Sequence, residues 1–98
     1  MMENNLYYSN LFDLYGVLLT EKQQEYFKDY YFENLLLDEI ALNDKVSKNA
    51  VSKQIKSAKK RLDFYEENLG LYEKKEGIKR EFKEEENVLK RLEKYGIF

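Results

Sequence analysis

Seven positively charged side chains and no acidic one stand within residues 45–61 of this 98-residue chain. Residues 1–44 carry nine acidic side chains and only two lysines, and the whole chain has a formal net charge of −2. Lysine and arginine side chains pair with phosphate oxygens through charge and hydrogen bonds. A basic stretch inside an acidic chain therefore predicts one surface that faces a polyanion.

The basic residues have the spacing of one face of a helix. From Lys48 to Lys60 a basic or polar residue recurs at every fourth position, which keeps these side chains on one side of a helix. The apolar residues expected on the other side are Ala50, Val51, Ile55, Ala58 and Leu62. The residues expected to contact nucleic acid are Lys45, Ser47, Lys48, Asn49, Ser52, Lys53, Lys56, Lys59, Lys60 and Arg61.

Two parts of this helix have different predicted roles. Polar residues within 48–53 are placed to reach base edges in a major groove, while the basic residues of 56–61 are placed to meet backbone phosphates. Arginine, the commonest reader of guanine, is missing from the first part. Binding driven by charge is therefore a firmer expectation than recognition of a particular base.

The composition excludes several classes of site. With no cysteine and no histidine, the chain offers no disulfide, thiolate metal site or histidine base, and it has no glycine-rich phosphate loop. We therefore expect a protein that is not an enzyme and that holds no cofactor or metal. The longest aliphatic run is three residues, and no signal-like apolar segment follows Met1. These features predict a cytoplasmic protein without membrane insertion.

Helical patterning runs through nearly the whole sequence, which contains no proline and only four glycines. This predicts an all-α fold, in which a helical domain containing a helix-turn-helix carries a long C-terminal helical extension. We place the helix-turn-helix domain in residues 1–70, with the motif at about residues 35–60. Residues 71–98 are expected to form a C-terminal helical segment that packs on the domain or mediates dimerisation.

The first two predicted helices are expected to contribute apolar side chains to the core. The first covers about residues 3–18. The second begins at Thr20, because Thr20 and Gln23 have the spacing of a capping box. Four aromatic residues follow in that helix, and we interpret them as packing groups rather than base-stacking groups: Tyr26, Phe27, Tyr30 and Tyr31.

The helix-turn-helix is predicted from a short helix, a tight turn and a capped second helix. The short helix covers residues 35–42 and turns the small Ala41 inward, where the two helices cross closely. The turn covers residues 43–46, and Val46 is expected to seal it. Ser47 is expected to cap the basic helix.

Several strings of residues, in the right order, closely resemble the YlxM family of small bacterial proteins. They are LTEKQ (19–23), YY (30–31), LDEIA (37–41), VSKNAV (46–51) and LGLYEK (69–74). The resemblance implies a helix-turn-helix similar to region 4 of sigma-70 factors, in which the second helix reads promoter DNA. It also implies a nucleic-acid-binding regulatory protein, linked by gene neighbourhood to the signal recognition particle pathway.

The chain departs from the family pattern in and around the turn. Leu36 stands where a serine or threonine usually caps the first helix of the motif, and Asp44 stands where an apolar residue usually packs under the turn. We expect Leu42 to take over part of this packing and Lys45 to pair with Asp44. Lys48 replaces an arginine, which keeps the charge but removes the bidentate fork.

Two apolar seams predict a further contact. The first runs along the basic helix and ends before Gly70: Val51, Ile55, Ala58, Leu62, Tyr65 and Leu69. The second follows the potential helix breaker Gly77: Ile78, Phe82, Glu85, Leu89 and Leu92. The pattern fits an intrachain hairpin or a coiled-coil dimer. We favour a symmetric homodimer, because one-sided seams need a partner and a domain of this size is short of core.

Three kinds of partner stay open at this stage. The basic helix fits duplex DNA, and it fits structured RNA such as that of the signal recognition particle, since both need the same electrostatics. A non-catalytic protein-interaction module is the third alternative, in which the tyrosine-rich helices and the acidic N-terminal region bind a partner protein. The resemblance implies components of the signal recognition particle as such partners. A merely solvated surface is less expected, because the basic stretch contains no acidic residue.

Overall fold

A computed structural model describes residues 5–83 and 85–96, with residue 86 described through its backbone alone. Its elements are α1 (Asn5–Tyr15), a 3₁₀ turn (Gly16–Leu18), α2 (Glu21–Tyr31), α3 (Leu37–Asp44), α4 (Lys48–Leu69), α5 (Leu71–Glu81) and α6 (Glu86–Lys94). These residues form no strand. The predicted all-α class is confirmed.

The first predicted helix is shorter than expected. α1 ends at Tyr15, and the chain continues through the 3₁₀ turn, whose Gly16 lies against the ring of Phe12. A Cβ at Gly16 would stand 3.1 Å from that ring, so a larger residue would require the ring of Phe12 to move by a few tenths of an ångström. Residues 3–4 of the predicted helix lie outside the described residues.

Both predicted N-terminal caps are confirmed. The backbone N–H of Gln23 donates to Thr20 Oγ1 at 3.2 Å, and the Thr20 N–H donates to Gln23 Oε1 at 3.1 Å, which completes the capping box of α2. At the start of α4, the backbone N–H of Ala50 donates to Ser47 Oγ at 3.0 Å. Each cap satisfies a donor that the first turn of a helix leaves without an internal partner.

The helix-turn-helix is formed by α3, a tight turn and α4. α3 starts and ends two residues later than predicted, so the turn is reduced to residues 45–47. Lys45 takes the left-handed conformation at φ 56°, and the N–H of Val46 donates to the Ala41 carbonyl at 3.0 Å. Ala41 is buried as expected. Val46 is 40% exposed, so the prediction that its side chain seals the turn was wrong.

Two departures from the family pattern are compensated by other side chains. Leu36 precedes α3 without a side-chain cap, and its own N–H donates to Glu39 Oε1 at 3.0 Å. Asp44 accepts hydrogen bonds from Lys22, at 2.9 Å from Nζ, and from the Tyr26 hydroxyl. The carboxylate thus has partners on α2 rather than the predicted Lys45.

The predicted role of Leu42 was wrong. Its side chain is 79% exposed and contributes little to packing under the turn. Asp44 stands where the family pattern has an apolar residue, and its carboxylate is satisfied by hydrogen bonds from Lys22 and Tyr26. No other apolar side chain is therefore needed to pack under the turn.

The core lies between α1, α2, α3 and the first two-thirds of α4. In α2 the interpretation of the aromatic residues as packing groups is confirmed, since three of the four are buried and Tyr30 packs half-buried against the core. The rings of Phe12 and Phe27 stack with centroids 4.6 Å apart, which joins α1 to α2.

The first apolar seam packs within the chain. Its first four residues are buried in the core: Val51, Ile55, Ala58 and Leu62. The seam on α4 therefore already has partners on α1, α2 and α3, and it gives no reason to expect a dimer. Ala50, which the pattern assigned to the same side, is exposed, because one residue before Val51 it falls at the edge of the buried stripe.

Gly70 ends α4 in the left-handed conformation at φ 62°, which confirms the predicted stop. Gly77 does not break the chain, since α5 continues through it. The second seam is instead divided between α5 and α6 by the break after Glu81. Tyr72 at the start of α5 packs against the core, and the domain division at residue 70 stays a prediction. Among the described helices, none has the length and apolar character needed to cross a membrane.

Candidate nucleic-acid interface

Three exposed lysines, here called the lysine ridge, follow one another along α4: Lys53, Lys56 and Lys60. They lie opposite the buried stripe, because α4 turns about 100° per residue. Packing the apolar stripe against α1, α2 and α3 therefore holds these side chains in water. Within the part of the chain that the structure describes, none of the three forms an ion pair. Their positive charge is uncompensated and faces outward.

The N-terminal end of α4 carries less free charge than the ridge. Lys48 Nζ lies 3.8 Å from a carboxylate oxygen of Asp38, in the first turn of α3. The hydroxyl oxygen of Ser47 accepts the capping hydrogen bond from Ala50. Asn49 is exposed and Ser52 is half-buried, so both remain on the surface beside the ridge. This end offers polar groups, but its one lysine is partly neutralised.

Lys45 and Lys59 differ in how the fold holds them. Lys45 is exposed in the turn before α4. Lys59 is half-buried at the side of the ridge, with Nζ 4.8 Å from the ring centre of Tyr8 and 5.9 Å from that of Tyr31. A cation over aromatic faces is held by attraction to their π electrons. Lys59 therefore joins α4 to α1 and α2 as well as adding positive charge.

Arg61 lies on the other side of the ridge. It is exposed, and the centre of its guanidinium is 5.8 Å from the ring centre of Tyr65 one turn further on. With Lys60 it lines a pocket of about 470 Å³ between α2 and α4, whose other lining residues are Thr20, Gln23, Ser57 and Phe64. Sequence reasoning missed Ser57 and Phe64. Their spacing from Lys53 and Lys60 would have placed them on the same exposed face.

The last part of α4 uses its charges within the fold. Glu66 accepts hydrogen bonds from the Tyr15 hydroxyl at 2.7 Å and from the backbone N–H groups of Tyr72 and Glu73 at 3.0 and 3.1 Å. The Tyr15 hydroxyl in turn accepts the N–H of Leu71 at 3.1 Å. Glu66 and Tyr15 thus cap the start of α5, where Gly70 supplies no side chain.

Burial and internal hydrogen bonds shift the pKa values of three side chains: Tyr8, Tyr15 and Asp44. Burial, and then the hydrogen bond to Asp63, raises the pKa of Tyr8 to about 12. Burial, and then the bond to Glu66, raises the pKa of Tyr15. The bond from Tyr26, and then the bond from Lys22, lowers the pKa of Asp44. At neutral pH all three are therefore in the protonation state that their hydrogen bonds require.

Comparison with known proteins gives a match along nearly the whole chain. Residues 2–95 match the model of the UPF0122 family, described as "Putative helix-turn-helix protein, YlxM / p13 like". A UPF0122 protein of Clostridium perfringens (strain 13) is 40% identical over 101 aligned positions, which cover 96% of this chain and 90% of that protein.

Two further relatives cover less of the chain. A UPF0122 protein of Fusobacterium nucleatum is 41% identical over 73 residues, which cover 74% of this chain and 71% of that protein. A UPF0122 protein of Caldanaerobacter subterraneus is 42% identical over 74 residues, which cover 76% of this chain and 63% of that protein. The shared region thus reaches well beyond the helix-turn-helix itself.

Proposed function

Because the chain belongs to the UPF0122 family of YlxM-like helix-turn-helix proteins, as its sequence predicted, we propose that it is a nucleic-acid-binding regulatory protein. The observation that carries the proposal is the lysine ridge, whose positive charge has no ion-pair partner among the described residues. Lysines that pair with phosphates release the counterions bound there, and this release drives binding.

In this proposal the ten predicted residues divide by role. The ridge, Lys45, Lys59 and Arg61 contact phosphates, and the polar groups at the start of α4 approach base edges in the major groove of duplex DNA. The charge distribution supports phosphate contact more strongly than base reading, because Asp38 partly neutralises Lys48 where a recognition helix normally reads bases. We therefore infer binding with a steep salt dependence and modest sequence preference.

The cellular setting in this proposal comes from the family resemblance. A place in the signal recognition particle pathway comes from that resemblance, and structured RNA of the particle is then the second candidate ligand. The place in the cytoplasm is the expectation drawn from the composition. The same ridge serves for RNA, whose helices are recognised largely through shape and backbone.

A homodimer belongs to the same proposal. Two copies of α4, placed about 34 Å apart, reach successive major grooves on one side of a duplex. Half-buried apolar residues of α5, of α6 and of the break between them lie outside the core cluster and support it: Ile78, Phe82, Leu89 and Leu92. Size-exclusion chromatography with light scattering at micromolar concentration measures the mass directly, and a monomer mass would exclude the dimer.

The test of nucleic-acid binding is fluorescence anisotropy with duplex DNA and structured RNA of matched length, from low to physiological salt. The double variant Lys53→Glu/Lys56→Glu should lower affinity by more than about tenfold and flatten the salt dependence. The control Lys90→Glu/Lys94→Glu makes the same change of net charge at exposed positions of α6 and should have a much smaller effect.

Two results would contradict the proposal. Equal losses in both double variants would mean that net charge, and not the ridge, determines binding. Negligible binding of the wild type to both ligands would favour the non-catalytic protein-interaction module instead.

A further inference from the structure

Phe64 is an aromatic residue on the exposed face of α4. Its side chain is 56% exposed, and it follows Ser57 and Lys60 on the side of the helix that faces away from the core. Its ring meets that of Tyr65 edge-on, with centroids 5.9 Å apart. A single exposed apolar residue is ordinary on a protein surface. The position of Phe64 within a cationic pocket is what distinguishes it.

The pocket combines three kinds of surface. Phe64 provides an aromatic ring, Lys60 and Arg61 provide positive charge, and Ser57 provides a hydroxyl. None of the six lining residues is acidic. The pocket has a volume of about 470 Å³ and is open to solvent, so a bound group would rest against its wall rather than be enclosed.

Thr20 and Gln23 form the α2 wall of this pocket. Their side chains are already bonded to each other's backbone in the capping box, so they shape the pocket without being needed as ligand groups. Arg61 lines the pocket beside Lys60, and the centre of its guanidinium lies 5.8 Å from the ring centre of Tyr65.

A nucleotide presents the matching groups. Its base has an aromatic face that stacks on a phenylalanine ring, and its phosphate accepts hydrogen bonds from lysine and arginine. In RNA, the 2′-hydroxyl of its ribose is a further partner for Ser57. A base inside a regular duplex has no free face, so only an unpaired nucleotide can use the ring.

The pocket is continuous with the lysine ridge, because Lys60 belongs to both. A phosphate backbone that follows the ridge therefore reaches the pocket without crossing an acidic surface. We propose that the pocket between α2 and α4 holds an unpaired nucleotide that adjoins a helical stretch, with its base on Phe64 and its phosphate on Lys60 and Arg61. This proposal rests on nucleic-acid binding by the ridge and specifies the kind of nucleic acid.

The experiment compares a fully paired hairpin with the same hairpin carrying one unpaired nucleotide, in RNA and in DNA, by anisotropy with the full chain. The wild type should bind the interrupted hairpin about 5- to 100-fold more tightly, as expected for stacking of one base. Phe64→Ala should remove this preference, and Phe64→Tyr should retain it. Leu6→Ala removes another exposed apolar side chain, on α1 and outside the pocket, and should change nothing.

A second readout reports stacking directly. With 2-aminopurine as the unpaired base, binding of the wild type should quench its fluorescence, while binding of Phe64→Ala at saturating concentration should not. A preference shown by RNA alone identifies RNA as the source of the nucleotide, and a preference shown by both polymers means that the pocket accepts either.

The outcomes separate this proposal from nucleic-acid binding in general. Equal affinity for paired and interrupted hairpins, with no effect of Phe64→Ala, would overturn the pocket assignment. If Lys53→Glu/Lys56→Glu still weakened binding in that case, the ridge would stand without the pocket. Binding to none of the four hairpins would overturn both.

Discussion

The middle and the last part of α4 carry charged residues of opposite sign and use them differently. In the middle of the helix, the lysine ridge points into water without an ion pair among the described residues. On the last part, Asp63 and Glu66 accept hydrogen bonds from the hydroxyls of Tyr8 and Tyr15. One continuous helix thus has a surface that is available to a ligand and a surface that is occupied by its own fold.

The difference comes from what packs beside each part. α1 brings two tyrosine hydroxyls to the carboxylates in the last part of α4, and the start of α5 brings two backbone N–H groups. Among the described residues, no hydrogen-bonding or oppositely charged group contacts the lysines of the ridge. The role of a charged residue is therefore decided by the neighbouring elements, and the comparison predicts that removing a charge will affect stability in the last part and binding in the middle.

The largest effect on stability is expected at Glu66. Glu66→Ala removes the acceptor for Tyr15 and for two N–H groups of α5, so unfolding should become easier by about 1–3 kcal/mol. Glu67→Ala, at the exposed neighbouring position, should change stability by less than about 0.5 kcal/mol. Urea denaturation followed by circular dichroism measures both. If both variants changed stability by the same small amount, the hydrogen bonds of Glu66 would contribute no more to stability than an ordinary exposed side chain does.

Local signals account for most of what the sequence predicted correctly. The caps at Thr20 and Ser47 and the stop at Gly70 each depend on a few adjacent residues. The buried stripe of α4 follows from helical spacing. Gly77 was misread because a glycine lowers helix stability by only about 1 kcal/mol, which the rest of the helix can absorb.

Local patterns in the sequence do not indicate partners that are distant along the chain. Tyr15 is 51 residues from Glu66, and Lys22 is 22 residues from Asp44, so neither pair has a local signature. In the candidate interface, spacing predicted which lysines are exposed. It did not predict that Tyr8 and Tyr31 hold Lys59, and a search for basic residues passed over Phe64.

The stability contributed by the hydrogen-bonded carboxylate of Asp44 should depend on pH. The bonds from Tyr26 and Lys22 lower the pKa of Asp44 below its ordinary value of 3.8. A carboxyl group whose pKa is lower in the folded state than in the unfolded state stabilises the fold at any pH above its unfolded-state pKa. This stabilisation is lost as the pH falls through the folded-state pKa. The wild type should therefore exceed Asp44→Asn in stability at neutral pH, and the difference should shrink below about pH 4.

Urea midpoints measured across this pH range provide the test. Asp13→Asn, at an exposed position of α1, controls for the loss of one negative charge. A difference between the wild type and Asp44→Asn that stays constant with pH would mean that the charged form of Asp44 is not what joins α2 to the turn.

The smallest effect on stability, and a clear one on binding, is expected at the ridge. Lys53→Gln should leave the urea midpoint within the range of a neutral surface change, because the side chain is exposed and forms no described ion pair. The slope of log affinity against log salt should fall by about 1, which corresponds to one lost phosphate contact. Lys90→Gln on α6 should alter neither quantity. A Lys53→Gln protein that loses stability but keeps its salt slope would place the ridge with the internally bonded part of α4, and the distinction between the two parts would fail.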